Sequence, residues 1–548
     1  MRKKRILFCS EATFLNTGYA TYTREILKYL HSTGKYEIAE LGAYGTDKDP
    51  RAASIPWKFY GVMPDESDKQ NMDKYNSSPI MQFGEFKFES VCLDFMPDIV
   101  CDIRDFWMVE FIERSPYRHL FKWCLMPTVD ASPQARQWLA TYQSADACLT
   151  YSDWSGEVLK KQSGNKINYI GTAPPSAHQA YRPIEDKEGL RKKYGIPVDA
   201  KVIGTVMRNQ RRKLYPDLFA AFRKMLDSVK DPHNYFLYCH TSYPDMGWNI
   251  PELLNEYGLS SHVFMTYICP QTRQPFASMF RGAVRQSPFT GTLSATVSSV
   301  KNGATYEQLS EIINLFDLYV QYANSEGFGL PQVEAAACGV PVMSTDYSAM
   351  ESVIRQLGGT PLKVKSLYKE LETGCNRAVP DNDFAAKAFQ EFFEIPKPMR
   401  MKKGFEARGK FLEHFTWKKS GSAWENYFDS VEISEQNQWV GPPNIKQPAP
   451  KPPEKPNAPS SQIAKWLISE VLCDPSKLST YMEARLTKDL TYGSTTSSTA
   501  GMYFNESSAA FDGRQNMSHF DFNIAYQEML NMRNRINFWE QKRAEVCR

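Results

Sequence analysis

The feature that most constrains this chain is a short unit in which an apolar stretch runs through a glycine-containing loop into a helix-compatible stretch. Residues 315–323 are apolar and rich in aromatic and β-branched side chains, a composition typical of a buried strand. After the loop, Pro331 stands where the first turn of a helix tolerates a missing N–H. Gly339 then supplies a helix stop before the apolar residues 340–343. The pattern predicts a strand-loop-helix-strand unit of an α/β domain.

The loop of this unit has the chemistry of an anion site. The amides of Gly327, Phe328 and Gly329 follow a predicted parallel strand and precede a helix, a position that favours bound anions. Glu326 and Glu334 flank these amides, and their carboxylates can accept hydrogen bonds from hydroxyl groups. A ligand that carries both phosphates and many hydroxyls fits this arrangement, and a nucleotide-sugar is the obvious candidate.

The stretch EGFGLPQVEAAACGVPV, from Glu326 through Glu334 to the next strand, resembles the donor-site signature of retaining glycosyltransferases of the GT4 family. Two glutamates alone at this spacing would only cap and solubilise a helix, but the glycines, the proline and the following strand favour the signature. The resemblance covers residues 1–435 and implies the GT-B architecture, in which two Rossmann-like domains face a cleft. It implies a UDP-sugar donor, with Glu326 on the sugar hydroxyls and Glu334 on the ribose. The further donor contacts implied on this loop are Gly327, Phe328, Gly329 and Leu330.

A second predicted strand, residues 201–207, runs into the cationic sequence RNQRRK. This stretch resembles the other donor element of GT4 enzymes, in which an Arg and a Lys neutralise the diphosphate, and Arg208 and Lys213 are the residues implied. Fixed cations in a closed cleft stabilise a leaving diphosphate without a divalent ion. We therefore expect no metal and no cofactor besides the donor. The alternative is a solvated cationic loop.

In the first half of the chain, two apolar stretches end in polar residues. These residues are Asp102, Arg104, Asp105 and Asp130. Because open α/β sheets bind ligands at the carboxyl ends of their strands, we expect these side chains to face a cleft. Many GT4 enzymes carry a His near the position of Asp130. The carboxylate here could hold sugar hydroxyls, take the acceptor proton, or cap a helix predicted to begin near Gln134, and Asp105 is a second catalytic candidate.

The chain opens with a predicted strand at residues 5–10 and a helix at residues 21–33. Gly18, in the turn between them, resembles the first-strand glycine loop of GT-B enzymes, which faces the donor phosphates. A glycine in such a turn is also common for steric reasons alone. Further strands are predicted at residues 36–41 and 91–96.

The predicted elements divide the chain into five parts. They are an N-terminal Rossmann-like acceptor domain (1–181), a C-terminal Rossmann-like donor domain (182–420, with an insertion at 269–303), a crossover helix (421–440), a Pro-rich linker (441–462) and a mainly helical appendix (463–548). We expect two helical parts in the appendix, at residues 463–473 and 521–543, with a Ser/Thr/Gly-rich loop at 492–498 between them. The appendix could dock an acceptor or a partner, or could pack back on the enzyme. Cys269 is a single thiol in an insertion that resembles a degenerate zinc ribbon, and structural zinc needs four ligands, so no metal is expected there.

Composition places few limits on the partners. The net charge of +3 neither indicates nor excludes a nucleic-acid binder. No apolar run approaches the ~18 residues of a membrane span, and the basic N-terminus leads directly into a predicted strand. The eleven cysteines include no CxxC pair. We therefore expect a cytoplasmic protein with reduced thiols and no membrane insertion.

The acceptor has to be inferred separately from the donor. The insertion, the linker and the appendix resemble features of glycosyltransferases encoded by tailed bacteriophages, several of which modify hydroxymethylated cytosine in phage DNA. Our hypothesis is therefore 5-hydroxymethylcytosine in double-stranded DNA as acceptor, a hexose or arabinose as the sugar, and the host cytoplasm as location. The alternatives are transfer to a cell-surface glycan or lipid, and a non-catalytic sugar-nucleotide-binding or virion protein.

Overall fold

The computed structural model describes residues 2–105, 108–299, 302–433, 438–446, 457–474, 476–492 and 522–547. Its first domain contains a seven-stranded parallel sheet. The strands are β1 (Lys4–Glu11), β2 (Tyr36–Ala43), β3 (Lys58–Gly61), β4 (Ile99–Asp102), β5 (Lys122–Leu125), β6 (Ala147–Thr150) and β7 (Tyr169–Thr172). The helices are α1 (Gly18–Ser32), α2 (Lys69–Ser77), α3 (Pro79–Gln82), α4 (Glu85–Phe95), α5 (Glu110–Glu113), α6 (Arg136–Ser144) and α7 (Asp153–Ser163). The strand order β3-β2-β1-β4-β5-β6-β7 reverses between β1 and β4, which is where open α/β sheets form a ligand crevice.

The second domain is built around a nine-stranded sheet. The strands of this sheet are β8 (Lys201–Val206), β9 (Tyr235–His240), β10 (Val263–Ile268), β11 (Pro275–Met279), β12 (Val284–Gln286), β13 (Leu293–Val297), β14 (Leu318–Gln321), β15 (Val342–Thr345) and β16 (Thr360–Leu362). A separate hairpin consists of β17 (Val364–Lys369) and β18 (Asn376–Pro380). The helices that follow in chain order are α8 (Lys187–Tyr194), α9 (Tyr215–Ser228), α10 (Ile250–Glu256), α11 (Tyr306–Asn314), α12 (Leu330–Ala337), α13 (Ala349–Gln356), α14 (Asn382–Glu394), α15 (Lys397–His414) and α16 (Trp417–Ser430). The parallel strands run β10-β9-β8-β14-β15-β16, and the predicted insertion supplies the antiparallel strands β11 to β13. The strand order reverses between β8 and β14, so this sheet has its own crevice.

Successive side chains of a strand point to opposite faces of the sheet, and in β1 both sets are apolar. On β1, Ile6 and Phe8 belong to one hydrophobic core, and Leu7 and Cys9 belong to the core on the opposite face. Both faces of the sheet are therefore covered, as a parallel sheet requires. The predicted α/β class with two Rossmann-like domains is confirmed.

Helix α16 returns the chain to the first domain. The indole of Trp424 is fully buried, lies 5.4 Å from the ring of Phe8 and donates to the Tyr22 hydroxyl at 3.0 Å. Gly421 allows a close approach, because a Cβ there would meet the ring of Tyr29 at 2.2 Å. The crossover thus ties the two domains together through an apolar contact.

One predicted strand is wrong. Residues 91–96 form the end of α4 and its C-cap instead of a strand. The buried residues Phe88, Val91, Cys92 and Phe95 have helical spacing, which a six-residue apolar window does not reveal.

The appendix forms a helical bundle with its own core. It contains α17 (Ser460–Leu467), a π-helical turn (Ile468–Leu472), α18 (Leu478–Tyr492), which the sequence did not predict, and α19 (Phe522–Val546). Of the two alternatives, the structure has the appendix packed on the first domain. The buried Lys488 ammonium binds Glu113 at 3.0 Å and Thr141 at 2.9 Å, and Tyr117 donates to the Trp539 carbonyl at 2.7 Å. Residues 447–456 of the linker and 493–498 of the predicted loop lie outside the described residues.

Among the helices of the described ranges, none combines the length and apolar character needed to cross a bilayer. The same residues contain no group of three or more His, Cys, Asp or Glu side chains placed to hold a metal ion.

Candidate functional site

The first wall of the cleft is formed by the ends of β1, β4 and β5. The Tyr19 hydroxyl, in the first turn of α1, donates to Asp105 Oδ1 at 2.9 Å and lies 2.7 Å from Thr128 Oγ1. Burial raises the pKa of Asp105 to about 6, the hydrogen bond from Tyr19 lowers it, and the charge of Asp130 raises it. Arg212 of the second domain also lowers this pKa, so Asp105 lies within electrostatic reach of the facing wall.

Asp102 and Arg104 do not face the cleft, and the prediction is wrong for both. Neither side chain is exposed, and Arg104 Nε donates to Asp102 Oδ1 at 2.8 Å. The guanidinium also donates to the Phe83 carbonyl at 2.8 Å and lies over the ring of Phe111. Asp102 is still inside β4, where the domain core covers its side chain, whereas Asp105 comes after the strand has ended.

Asp130 contacts the second domain directly. Arg377 Nη1, on β18, lies 2.8 Å from Asp130 Oδ2, and the Asp130 side chain is 35% exposed. Asp130 does not cap the following helix, because α6 begins after Ala135 without a side-chain cap. The capping alternative is therefore excluded, and the carboxylate lies at the boundary between the domains.

The facing wall is formed by the ends of β8 and β14. Lys213 pairs with Ala323 in an isolated bridge, which brings the cationic loop beside the loop that contains Glu326. The Glu326 carboxylate is bound by Arg212 and Lys213 and accepts a hydrogen bond from Gln321 Nε2 at 3.0 Å. Burial lowers the pKa of the Lys213 ammonium, and the adjacent Arg212 charge lowers it further, whereas the ion pair with Glu326 opposes this shift.

Arg208 lies apart from this cluster. Its guanidinium binds Asp245 through two hydrogen bonds of 2.9 and 3.0 Å. Arg212, which the sequence analysis did not select, occupies the position beside Glu326. Both arginines lie on the same irregular loop, where the pairing of Lys213 with Ala323 brings the neighbouring Arg212 beside Glu326 and Asp245 holds Arg208 away from it.

The loop after Glu326 has the backbone geometry of an anion site. No acceptor among the described residues receives the amides of Gly327, Phe328 or Gly329, and Gly329 has the left-handed φ of +84°. A Cβ at Gly327 would lie 2.5 Å from Thr128 Cγ2, so the two walls meet at this glycine. The amides therefore stand at the N-terminus of α12 with hydrogen-bonding capacity left for a ligand.

Phe328 and Leu330 have a different environment from the glycines. The Phe328 side chain is buried and its ring lies 5.8 Å from that of Phe415. Leu330, the first residue of α12, is half-buried and packs against the same core. Both side chains anchor the loop in the core, so a ligand could be contacted by their backbone and not by their side chains.

Glu334 lies one turn into α12 and is buried. Burial raises its pKa to about 7, and the neighbouring Tyr181 hydroxyl lowers it. A carboxyl group with this pKa is partly protonated at neutral pH. Hydrogen-bond donors on a ligand would stabilise its ionised form.

Gly18 is exposed and is the first residue of α1. A Cβ there would meet nothing within 4 Å, and its φ is not positive. Neither packing nor backbone conformation therefore requires glycine at this position, and the space beside it is open.

Residues 293–391 match the family model described as Glycosyl transferases group 1, and this segment contains both Glu326 and Glu334. No curated protein matches the chain by sequence. Sucrose-phosphate synthase from Thermosynechococcus elongatus is 15% identical with a TM-score of 0.54, over 78% of this chain and 98% of that one. A glycosyltransferase from Rickettsia africae is 14% identical with a TM-score of 0.55, over 79% and 100%. Anabaena HepE, in complex with UDP and glucose, is 13% identical with a TM-score of 0.54, over 78% and 100%. These similarities show the fold, which is the predicted GT-B architecture.

Proposed function

We propose that this chain is a glycosyltransferase that moves a sugar from a UDP-sugar to an acceptor hydroxyl. The observation that carries the proposal is the convergence of Glu326, Arg212 and Lys213 at one strand edge of the cleft. The matched family segment and the GT-B fold support the glycosyltransferase class. HepE, one of the similar structures, contains UDP and glucose.

In the proposed complex, the diphosphate lies between the two cations and the amides of residues 327–329. Charge develops on the diphosphate as the sugar leaves, and fixed cations and amide dipoles stabilise that charge without a divalent ion. Both cations bind the Glu326 carboxylate. When the donor is bound, this carboxylate accepts hydrogen bonds from the sugar hydroxyls, and that of Glu334 accepts them from the ribose. Gly18 leaves room beside the phosphates. Arg208, which binds Asp245 at the other end of the cationic loop, adds positive charge near the diphosphate.

We infer that the transfer retains the anomeric configuration, as the GT4 resemblance implies. The acceptor oxygen forms a bond to the anomeric carbon on the face from which UDP departs, and the bond between that carbon and the phosphate oxygen breaks with its electron pair going to UDP. The acceptor proton passes to the leaving phosphate or to a carboxylate of the first wall. Asp105 is suited to accept it, because a pKa of about 6 leaves the group ionised at neutral pH. Asp130 lines the same face of the sugar.

For the acceptor, we propose the hydroxymethyl group of 5-hydroxymethylcytosine in double-stranded DNA, with a hexose or arabinose transferred in the host cytoplasm. The resemblance to phage-encoded enzymes supports this choice. So do exposed lysines on α15 and α16, which can bind phosphates. These lysines are Lys402, Lys403, Lys418 and Lys419.

The test uses labelled UDP-glucose and UDP-arabinose with matched duplexes that contain either 5-hydroxymethylcytosine or cytosine. Label is expected only in the hydroxymethylated duplex, and binding to DNA is expected to weaken steeply as salt rises. UDP release that depends on an added glycan or lipid and is the same with and without the duplex would contradict the DNA acceptor. It would still be consistent with a glycosyltransferase. No turnover of any donor would favour the non-catalytic sugar-nucleotide-binding or virion alternative.

A further inference from the structure

The hairpin formed by β17 and β18 reaches from the second domain to the Asp130 loop of the first. It lies outside the nine-stranded sheet, between β16 and α14. The Asn376 amide donates to the Ser132 carbonyl at 3.0 Å, and the Cys375 thiol donates to the Pro133 carbonyl at 3.1 Å. Both contacts hold the segment that follows Asp130, so the hairpin fixes the position of the Asp130 loop.

Arg377 is the charged side chain at the centre of this contact. Its Nη1 lies 2.8 Å from Asp130 Oδ2 and 2.5 Å from Ser325 Oγ, and its Nη2 lies 2.6 Å from Glu370 Oε2. The Arg377 side chain is only 9% exposed. One planar guanidinium thus joins the acceptor-side carboxylate, the residue before Glu326, and the hairpin itself.

We propose that Arg377 is a positioning residue that sets the register between Asp130 and the donor loop. The inference rests on the proposed function, in which Asp130 and Glu326 act on one sugar. Glu370 holds the guanidinium on the hairpin, so Asp130 and Ser325 are both aligned against a fixed group. Reacting groups misplaced by about 1 Å can lose on the order of a hundredfold in rate. Lysine, which is a point charge, cannot reproduce a fork that serves three acceptors.

The geometry also separates Arg377 from direct binding of the diphosphate. The cations on Glu326 are Arg212 and Lys213, whereas Arg377 is engaged with Asp130, Ser325 and Glu370. Loss of Arg377 should therefore lower the rate of the chemical step and leave the affinity for UDP unchanged.

The experiment compares Arg377→Gln, Asp130→Asn and the double variant in donor turnover, with UDP affinity measured in parallel. Arg355→Gln is the matched control, because Arg355 pairs with Asp346 inside the second domain. We expect kcat to fall about tenfold or more in each single variant, with the double variant no worse than the worse single one. UDP affinity should stay within about twofold of wild type, and Arg377→Lys should recover part of the rate. Independent, multiplying losses, or a parallel loss of UDP affinity, would overturn the proposal.

Hydrogen–deuterium exchange of the donor-free protein separates this proposal from the proposed function. We expect Arg377→Gln and Asp130→Asn to raise amide exchange in residues 131–135 and 325–329 relative to wild type and Arg355→Gln, because each removes the contact that holds these two loops together. Unchanged exchange in both variants would overturn the positioning role. If the wild-type protein turns over no donor, the proposed function fails, and the exchange measurement still decides whether Arg377 holds the two loops.

Discussion

The Lys213 ammonium and the Glu326 carboxylate form a buried ion pair between the ends of β8 and β14. Their side chains are only 8% and 7% exposed. Two charges removed from water in this way depend on each other, because either one left alone would be buried without compensation. Removing either partner should therefore destabilise the second domain.

Glu326→Gln should lower donor turnover at least about a hundredfold and destabilise the protein by about 3 kcal/mol, because the buried cation loses its partner. Steady-state kinetics and urea unfolding measure the two effects. Glu311→Gln is the control, since Glu311 pairs with the exposed Lys193 and should cost less than about 1 kcal/mol. Unchanged turnover in Glu326→Gln would show that this carboxylate is not needed for catalysis.

The pH dependence of turnover tests Asp105 as the proton acceptor. Its pKa of about 6 predicts that kcat rises as the pH is raised through about 6 and then levels, because the ionised form is the base. Since the Tyr19 hydrogen bond lowers this pKa, Tyr19→Phe should move the rising limb to higher pH. A limb that stays in place in Tyr19→Phe, or persists in Asp105→Asn, would assign the titration to another group.

Glu334 should make the empty protein less stable as the pH rises. Its pKa of about 7 lies above its ordinary value of 4.5, so the folded state holds a proton that the unfolded state releases, and stability is lost as the pH rises from about 4.5 to about 7. Glu334→Gln should therefore stabilise the protein by about 2 kcal/mol more at pH 8 than at pH 5, while weakening donor binding. Urea unfolding at the two pH values, with and without donor, measures both. An equal effect at both pH values would contradict the raised pKa.

Much of the fold could be predicted from sequence because it depends on local periodicity. The β14-loop-α12 unit could be predicted from its apolar run, its glycines and Pro331. The error at residues 91–96 has the converse cause, since a short apolar run fits a strand and a helix face equally. Helix α18 was missed, although its buried residues Met482 and Leu486 have helical spacing.

The site was only partly predictable, because its remaining members depend on contacts between distant segments. The rule that ligands bind at strand ends pointed to the loops that contain Glu326 and Lys213, and the resemblance to GT4 enzymes singled out these two residues. The choice between Arg208 and Arg212 depends on how an irregular loop pairs with Ala323. Arg377 had no local signal at all, because its role arises from a hairpin that crosses to the other domain.

Gly327 provides a steric test of how closely the two walls approach. Gly327→Ala should lower turnover about tenfold or more, because its Cβ would lie 2.5 Å from Thr128 Cγ2. Thr128→Ser removes that methyl group and keeps the hydroxyl that contacts Tyr19, so the double variant should recover activity. Kinetics of the two single variants and the double variant decide the point. A double variant as impaired as Gly327→Ala would show that the contact with Thr128 is not the cause.

The most direct measurement is calorimetric titration of the wild-type protein with UDP and a panel of UDP-sugars, followed by the Arg212→Ala and Lys213→Ala variants. We expect UDP and at least one UDP-sugar to bind the wild-type protein, and binding to weaken by about tenfold or more in each variant, since each loses a charge-assisted contact to the diphosphate. Absence of binding to the wild-type protein, or binding that is unchanged in both variants, would contradict the proposed donor site.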